Sequence, residues 1–312
     1  GVEVGGSSSM KSSNIGGQAV MEGVMMRNAD KYAVAVRKTD GEIVVKTEEY
    51  KGIVQNKKIR SLPIIRGVFS FIDSMVLGMS TLTYSASFFM DEEEEEKDEK
   101  KESVMMGLTI ACSVVMAVAI FMILPYFLSQ LFRKFTDSTT LITLLEGAVR
   151  LVIFFGYILL ISRMKDIQRV FMYHGAEHKC INCIEHGMEL NVENVLKSSR
   201  LHKRCGTSFL FIVMIVSIIF FLFIRIESPI WRVVFRLLLI PVIAGVSYEV
   251  LKLAGNSDNP VVNLLSKPGM AIQKMTTSEP DDGMIEVAIQ AVEAVFDWRA
   301  YEAENFKTAE DL

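Results

Sequence analysis

The sequence predicts an α-helical membrane protein: four transmembrane helices, an interfacial or re-entrant amphipathic helix, a small cytoplasmic β-unit and a C-terminal amphipathic helix. Three observations carry that reading. Half of the 312 residues are hydrophobic although 22% are charged, so the charges must be segregated from long apolar runs. Four such runs are long enough to cross a ~30 Å hydrocarbon core. Lysine and arginine concentrate between the second and third runs.

Residues 1–9 precede the first methionine and read as an expression scar. Residues 14–60 form the β-unit. Within it YAVAVR (32–37) and EIVVK (42–46) flank Thr39-Asp40-Gly41, a hairpin signal. Residues 14–27 add a further strand, with Gly16, Gly17 and Gly23 at turns or close approaches. So small a unit has to lean on the C-terminal segment or on the long connection.

Residues 61–90 hold two charges, Arg66 and Asp73. The apolar positions Ile65, Val68, Phe69, Ile72, Val76, Met79 and Leu82 recur at helical spacing, with Ser70, Asp73, Ser74 and Ser80 opposite. That pattern favours an amphipathic helix at the interface over a fifth span. Residues 91–102 are an acidic linker, a solvated charge run.

The membrane domain covers residues 103–253. Residues 103–132 and 206–224 are uncharged, 141–161 carry Glu146 and Arg150, and 231–253 carry Arg232, Arg236, Glu249 and Lys252. Short connections pair the first helix with the second and the third with the fourth. The connection over residues 163–206 carries eight Lys or Arg, which places it, with both termini, in the cytoplasm by the positive-inside tendency. Charges inside spans are costly and normally paired. Glu146 and Arg236 lie at similar depth, with Arg150 nearby, as a structural ion pair or as part of a polar path. After the fourth span, residues 256–260 and Lys267-Pro268-Gly269 break the chain. Glu279-Pro280-Asp281-Asp282 then starts a helix over 284–297, with Ile285, Ala288, Ile289, Val292 and Phe296 in one stripe that packs onto the β-unit.

Composition excludes some functions. A net charge of −4 argues against a nucleic-acid partner, and four cysteines without a secretory signal read as reduced thiols. The methionines read as gap-filling apolar residues rather than a copper path.

All four histidines and three of the four cysteines fall between His174 and Cys205. His174-Gly175-Ala176-Glu177-His178 sets two imidazoles four residues apart, one helical face, with a carboxylate beside the second. The order H-x-x-E-H is that of inverted zincins, where the glutamate is the base for metal-bound water. His202 and Cys205 stand at the other end of the connection. The preferred zinc site is therefore His174, His178, His202 and Cys205: structural if all four bind, hydrolytic if one stays off and Glu177 acts as base. Cys180, Cys183 and His186 form an alternative set, with Asp258 and Glu249 as further candidate ligands. The competing reading is a basic loop whose histidines hydrogen-bond to helix ends and Glu177.

Several stretches together resemble one family. They are GGQAVMEGVMMR (16–27), RSLPIIRGV (60–68), YHGAEHK (173–179), NVENV (191–195), SRLHKRCGTSFL (199–210), PVIAGVSYEVLKLAG (241–255) and TTSEPDD (276–282). The family is that of the YqhQ-like bacterial membrane proteins, whose domain is classed as of unknown function. The resemblance implies a multi-pass protein of the bacterial cytoplasmic membrane with a predicted metal dependence. Cys180 and Cys183 are less characteristic of that pattern, which favours the first ligand set.

Two functions follow as expectations. One is a zinc-dependent hydrolase at the cytoplasmic interface, with membrane lipids around it and a lipid-linked molecule or membrane-protein segment as substrate; Lys203 or Arg204 would bind an anionic group. The other is a non-enzymatic membrane-protein handling, translocation or transport scaffold, the metal pinning the loop and Arg150, Arg236 and Glu146 lining a polar cavity. A homo-oligomer is compatible with either.

Overall fold

The computed structural model describes residues 10–90 and 98–306; residues 1–9 and most of the acidic linker lie outside it. Four strands, β1 (Gly16–Val20), β2 (Gly23–Asn28), β3 (Lys31–Arg37) and β4 (Ile43–Glu49), form an antiparallel sheet in the order β1-β2-β3-β4. The β3–β4 hairpin has Gly41 at φ 90° in its turn. Residues 14–27 supply two strands rather than one. The tight turns around them put Glu22 and Ala29 at φ 50° and 53°, a backbone that Gly or Asn normally signals, so the turns carry no sequence mark.

Helices follow: α1 (Lys57–Ser61), α2 (Ile65–Ala86), α3 (Glu99–Val118), α4 (Leu124–Gln130), α5 (Thr139–Ile161), α6 (Lys165–Glu185), α7 (Val192–Lys197), α8 (Gly206–Phe223), α9 (Pro229–Gly255), α10 (Pro260–Thr276), α11 (Asp282–Val295) and α12 (Trp298–Asn305). A π turn over Ala119–Ile123 joins α3 to α4. Among the described residues, five helical stretches are long and apolar enough to cross a membrane: Ile65–Phe89, Glu99–Lys134, Thr139–Ile161, Gly206–Phe223 and Pro229–Gly255. Their outward residues are largely hydrophobic, among them Met105, Val115, Val152, Leu160, Leu238 and Leu253.

Both sheet faces are covered. Val24, Met26, Ala33 and Ala35 pack against Tyr173, Ala176, Cys180 and Ile184 of α6 and Ile285, Ala288 and Val292 of α11. Val20, Met25, Tyr32, Val34 and Val36 face Leu77 of α2. This second contact uses one side of α2. Its buried stripe is Gly67, Asp73, Leu77, Thr81 and Ser85, while Ile65, Phe71, Ile72, Met75, Val76 and Leu82 point outward. The polar stripe is spent on the sheet: the Gln18 amide donates to the Gly78 carbonyl at 3.1 Å and Thr81 Oγ1 at 3.2 Å. The Met21 N–H donates to Ser85 Oγ at 3.0 Å. At the other end of α2, Gly67 meets Gly245 and Tyr248 of α9, where a side chain on either glycine would prevent the close crossing.

The connection over 163–206 is not an open loop, since α6 runs through the domain core and α7 follows it. The expected break at Lys267-Pro268-Gly269 is absent, and α10 continues through Pro268. Proline removes one helical donor and strains one turn, but packing against α8 offsets that: Gly269 sits against Ser208, and Ile272 is buried with Phe154, Ile158 and Met214.

Candidate metal centre

Three side chains meet where α6, the N-terminus of α8 and the end of α10 come together. One ligand atom from each of His174, His178 and Cys205 lies within 4.8 Å of the others, alone among the described residues. His174 Nδ1–H donates to the Thr276 carbonyl at 2.9 Å, and His178 Nδ1–H donates to the Arg200 carbonyl at 2.7 Å. Those bonds fix ring orientation and tautomer, leaving both Nε2 lone pairs for an ion, the usual outer-shell arrangement around a ligating imidazole. His174 Nε2 is 3.3 Å from Cys205 Sγ. Cys205 caps α8 and accepts from the Thr207 N–H at 3.3 Å, so its sulfur sits at the N-terminus of that helix.

The surrounding residues hold the 196–205 segment onto α6. Lys179 Nζ donates to the carbonyls of Leu196 and Ser198, each at 2.9 Å, and pairs with Glu279. The Asn182 amide donates to the carbonyls of Ser199 and Leu201. Gln273, fully buried, accepts from the His202 N–H at 2.8 Å and donates to the His202 carbonyl and Ser208 Oγ. Lys179, Asn182, Gln273 and Thr276 escaped the sequence reading because their polar atoms serve backbone groups, which no motif records. Gly175 is explained by packing: a β-carbon there would collide with the Ser278 carbonyl.

Glu177 is 3% exposed, with Oε2 unpartnered and 4.0 Å from His174 Nε2. Burial pushes its carboxyl up to about 7 against the opposing pull of His174, the Gly17 backbone and Arg204. It stands beside the three-residue group without belonging to it.

His202 is not brought into the group. Its Nε2 bonds to Glu185 Oε2 at 2.9 Å and its Nδ1 accepts from the Arg204 N–H at 3.2 Å, so both ring nitrogens are occupied. Burial works against the Glu185 charge, but the bond to His202, the charges of His202 and Arg204, and the Ser13 N–H hold its carboxyl down at about 2. Arg204 is tied to Glu185 and Ser12, and Lys203 to Asn263 and the Ser257 carbonyl, so the cations expected to bind an anion serve the fold instead.

The alternative set disperses. Cys180 lies in the core with its thiol pushed well up by burial. Cys183, raised to about 12 by burial, donates to the Glu189 carbonyl. His186 bonds to the Asn182 carbonyl one turn back. Asp258 is exposed and accepts from Asn263 at 3.3 Å, and Glu249 accepts both nitrogens of Arg66, at 2.6 and 2.5 Å. In the helix bundle, Arg236 donates to Glu146, and Arg150 Nη2 stands 3.7 Å from the same carboxylate.

Fold and site define a mostly helical protein that joins apolar helices of membrane-spanning length to a small four-stranded domain with a His/Cys cluster at its edge. The chain belongs to the family described as protein of unknown function (DUF1385), whose pattern matches residues 62–298. It is 36% identical over 308 residues to the uncharacterized protein YqhQ of Bacillus subtilis (strain 168), covering 95% of this chain and 96% of that protein. No solved structure matches it.

Proposed function

We propose that the chain is a four-span protein of the bacterial cytoplasmic membrane. On this reading it carries zinc on His174, His178 and Cys205 and hydrolyses a lipid or membrane-embedded substrate with Glu177 as base. Both termini and the zinc-bearing domain are cytoplasmic, and α2 lies along the membrane surface.

Topology is supported by parity. Residues 11–49, 165–205 and 276–301 share one folded unit: Lys11 N–H donates to the Glu185 carbonyl, the Asn28 amide to the Val295 carbonyl, and the Arg37 guanidinium to the Gly283 carbonyl. All three stretches therefore lie on one side, and the chain between Glu49 and Lys165 crosses an even number of times. Three candidate helices occupy that interval. The helical stretch Glu99–Lys134 and α5 pack as a hairpin, leaving α2, whose polar stripe is already bonded to the sheet, as the one that does not cross. Charge in the 163–206 stretch then sets the side.

The single observation that carries the chemistry is the pair of Nδ1–H bonds to Thr276 and Arg200, which aim two imidazoles at a buried thiol with an unpartnered carboxylate alongside. Three protein ligands leave a fourth position for water, as catalytic zinc sites do. The non-enzymatic scaffold remains the second reading. It is favoured by burial, since His178 and Cys205 are 2% and 4% exposed, and by the way an ion there would clasp α6 to α8.

Metal analysis of purified wild type, His178→Ala and Glu177→Gln tests both. We expect about one zinc per chain in the wild type, little in His178→Ala, and full zinc with lost cellular function in Glu177→Gln. Wild-type protein without stoichiometric metal overturns the site; Glu177→Gln with zinc and undiminished function leaves the scaffold.

A further inference from the structure

A cavity of about 220 Å³ opens between α1, the first part of α2 and the end of α9. One water needs only about 10–15 Å³ of such space, so a group of several heavy atoms can enter. Helical spacing builds the lining. Arg66, Phe69, Ser70 and Asp73 share one face of α2, Tyr248 and Lys252 share one face of α9, and Arg60 comes from α1.

The lining carries polar groups that the fold itself does not use. Asp73 is 4% exposed. Its Oδ1 accepts from the Tyr50 hydroxyl at 3.0 Å and the Ile53 N–H at 2.9 Å, while its Oδ2 takes no hydrogen bond among the described residues. The Lys252 ammonium and the hydroxyls of Ser70 and Tyr248 make none there either. Arg60 gives one nitrogen to the Lys51 carbonyl at 3.0 Å. Arg66 is matched by Glu249, so two cations, Arg60 and Lys252, and one carboxylate face a ligand. The corner between α1 and α2 is strained: Ile64, β-branched, stands at φ 70°, and its N–H donates to Glu249 Oε1 at 3.2 Å. Such strain persists only where the surroundings enforce it. Beside the polar face of α2, Ile65, Ile72 and Val76 form an exposed apolar stripe.

We propose that this cavity seats a phospholipid headgroup bearing a primary ammonium, with the phosphate against Arg60 and Lys252 and the ammonium against Asp73 Oδ2. Hydrogen bonds between charged partners are the strong ones, so a carboxylate oxygen left without a donor selects an ammonium over a hydroxyl. A quaternary amine has no N–H to give it. The stripe of Ile65, Ile72 and Val76 gives acyl chains a surface leading away from the cavity, which favours a lipid over a free solute. This inference rests on the membrane reading above and not on the metal.

Melting temperatures of the full chain in non-ionic detergent micelles test it, with phosphatidylethanolamine, phosphatidylglycerol or phosphatidylcholine added at equal mole fraction. Phosphatidylethanolamine should raise the melting temperature most and phosphatidylcholine least. Glycerophosphoethanolamine, the same headgroup without chains, should do little at equal concentration. Lys252→Gln and Arg60→Gln should each raise the midpoint for phosphatidylethanolamine about tenfold, as loss of one hydrogen bond between charged groups does. Asp73→Asn should abolish the preference over phosphatidylcholine, and Lys267→Gln, exposed on α10, should respond as wild type. Equal shifts with all three lipids, phosphatidylglycerol as effective as phosphatidylethanolamine, glycerophosphoethanolamine as effective as the lipid, or unchanged midpoints in both Lys252→Gln and Arg60→Gln each overturn the proposal. Membrane placement is read separately, by labelling Asp137→Cys and Glu227→Cys with an impermeant thiol reagent on intact cells. If both label while the lipids do not discriminate, the headgroup site fails and the membrane reading stands.

Discussion

Glu302 shows how a single carboxyl acts when burial leaves it without a donor. Its Oε1 is buried and unpartnered, and burial, reinforced by the Glu189 charge, pushes the group from its ordinary 4.5 up to about 7. Between those values the unfolded chain has released a proton that the folded chain still holds, so stability falls as pH rises and levels off above about 7. Glu302→Gln is expected to raise the melting temperature at pH 8 and to leave it unchanged near pH 4.5, in parallel unfolding scans. A variant no more stable than wild type at pH 8 would contradict this. Sequence gave no warning about Glu302, which sits in a charged C-terminal stretch, whereas His174 and His178 announce themselves by spacing. The choice between Glu185 and a metal as partner for His202 was equally hidden. Only the fold shows that Glu185, at the end of α6, comes within 2.9 Å of that ring.

Among the elements, α6 concentrates the most information in the fewest residues. One side of it builds the core through Tyr173, Ala176, Cys180 and Ile184, and another carries His174 and His178. Gly175 lets it lie against the backbone at Ser278, whose N–H donates to the Phe171 carbonyl at 3.0 Å. Gly175→Ala would force that backbone away and with it the Thr276 carbonyl that orients His174. A loss of about 1–3 kcal/mol, as for other overpacked sites, is expected in denaturant unfolding, together with reduced zinc; full stability would contradict the packing account. Helical periodicity made α11 and its stripe legible, and the β3–β4 hairpin was legible from its turn. The β1–β2 turn was not, because Glu22 occupies a position where glycine would have been the signal. Nor was α10, because Pro268 reads locally as a break, and only the contact with α8 explains why the helix continues. The amphipathic pattern of α2 was readable, but which face turns inward depended on a sheet that presents Gln18 to it.

For the molecule as a whole, parity makes topology a testable number. Cysteines placed singly at Asp40, Asp137 and Glu227, all exposed, report sidedness through a membrane-impermeant thiol reagent on intact cells. Asp137→Cys and Glu227→Cys are expected to label, and Asp40→Cys only after permeabilisation. Labelling of Asp40→Cys and Asp137→Cys from the same side would mean that α2 crosses.

The two faces of the sheet also have different histories. Synthesis runs from the N-terminus, and domains generally fold as they emerge. The face built from Val20, Val34 and Val36 can be closed at once, since α2 follows the strands directly. The face built from Val24, Met26, Ala33 and Ala35 waits for α6 and then for α11, which is translated only after every proposed span has been made. The strands are therefore translated before every proposed span while one face of their sheet is closed only after all of them, and a truncated or stalled chain keeps that side bare until it is completed or degraded.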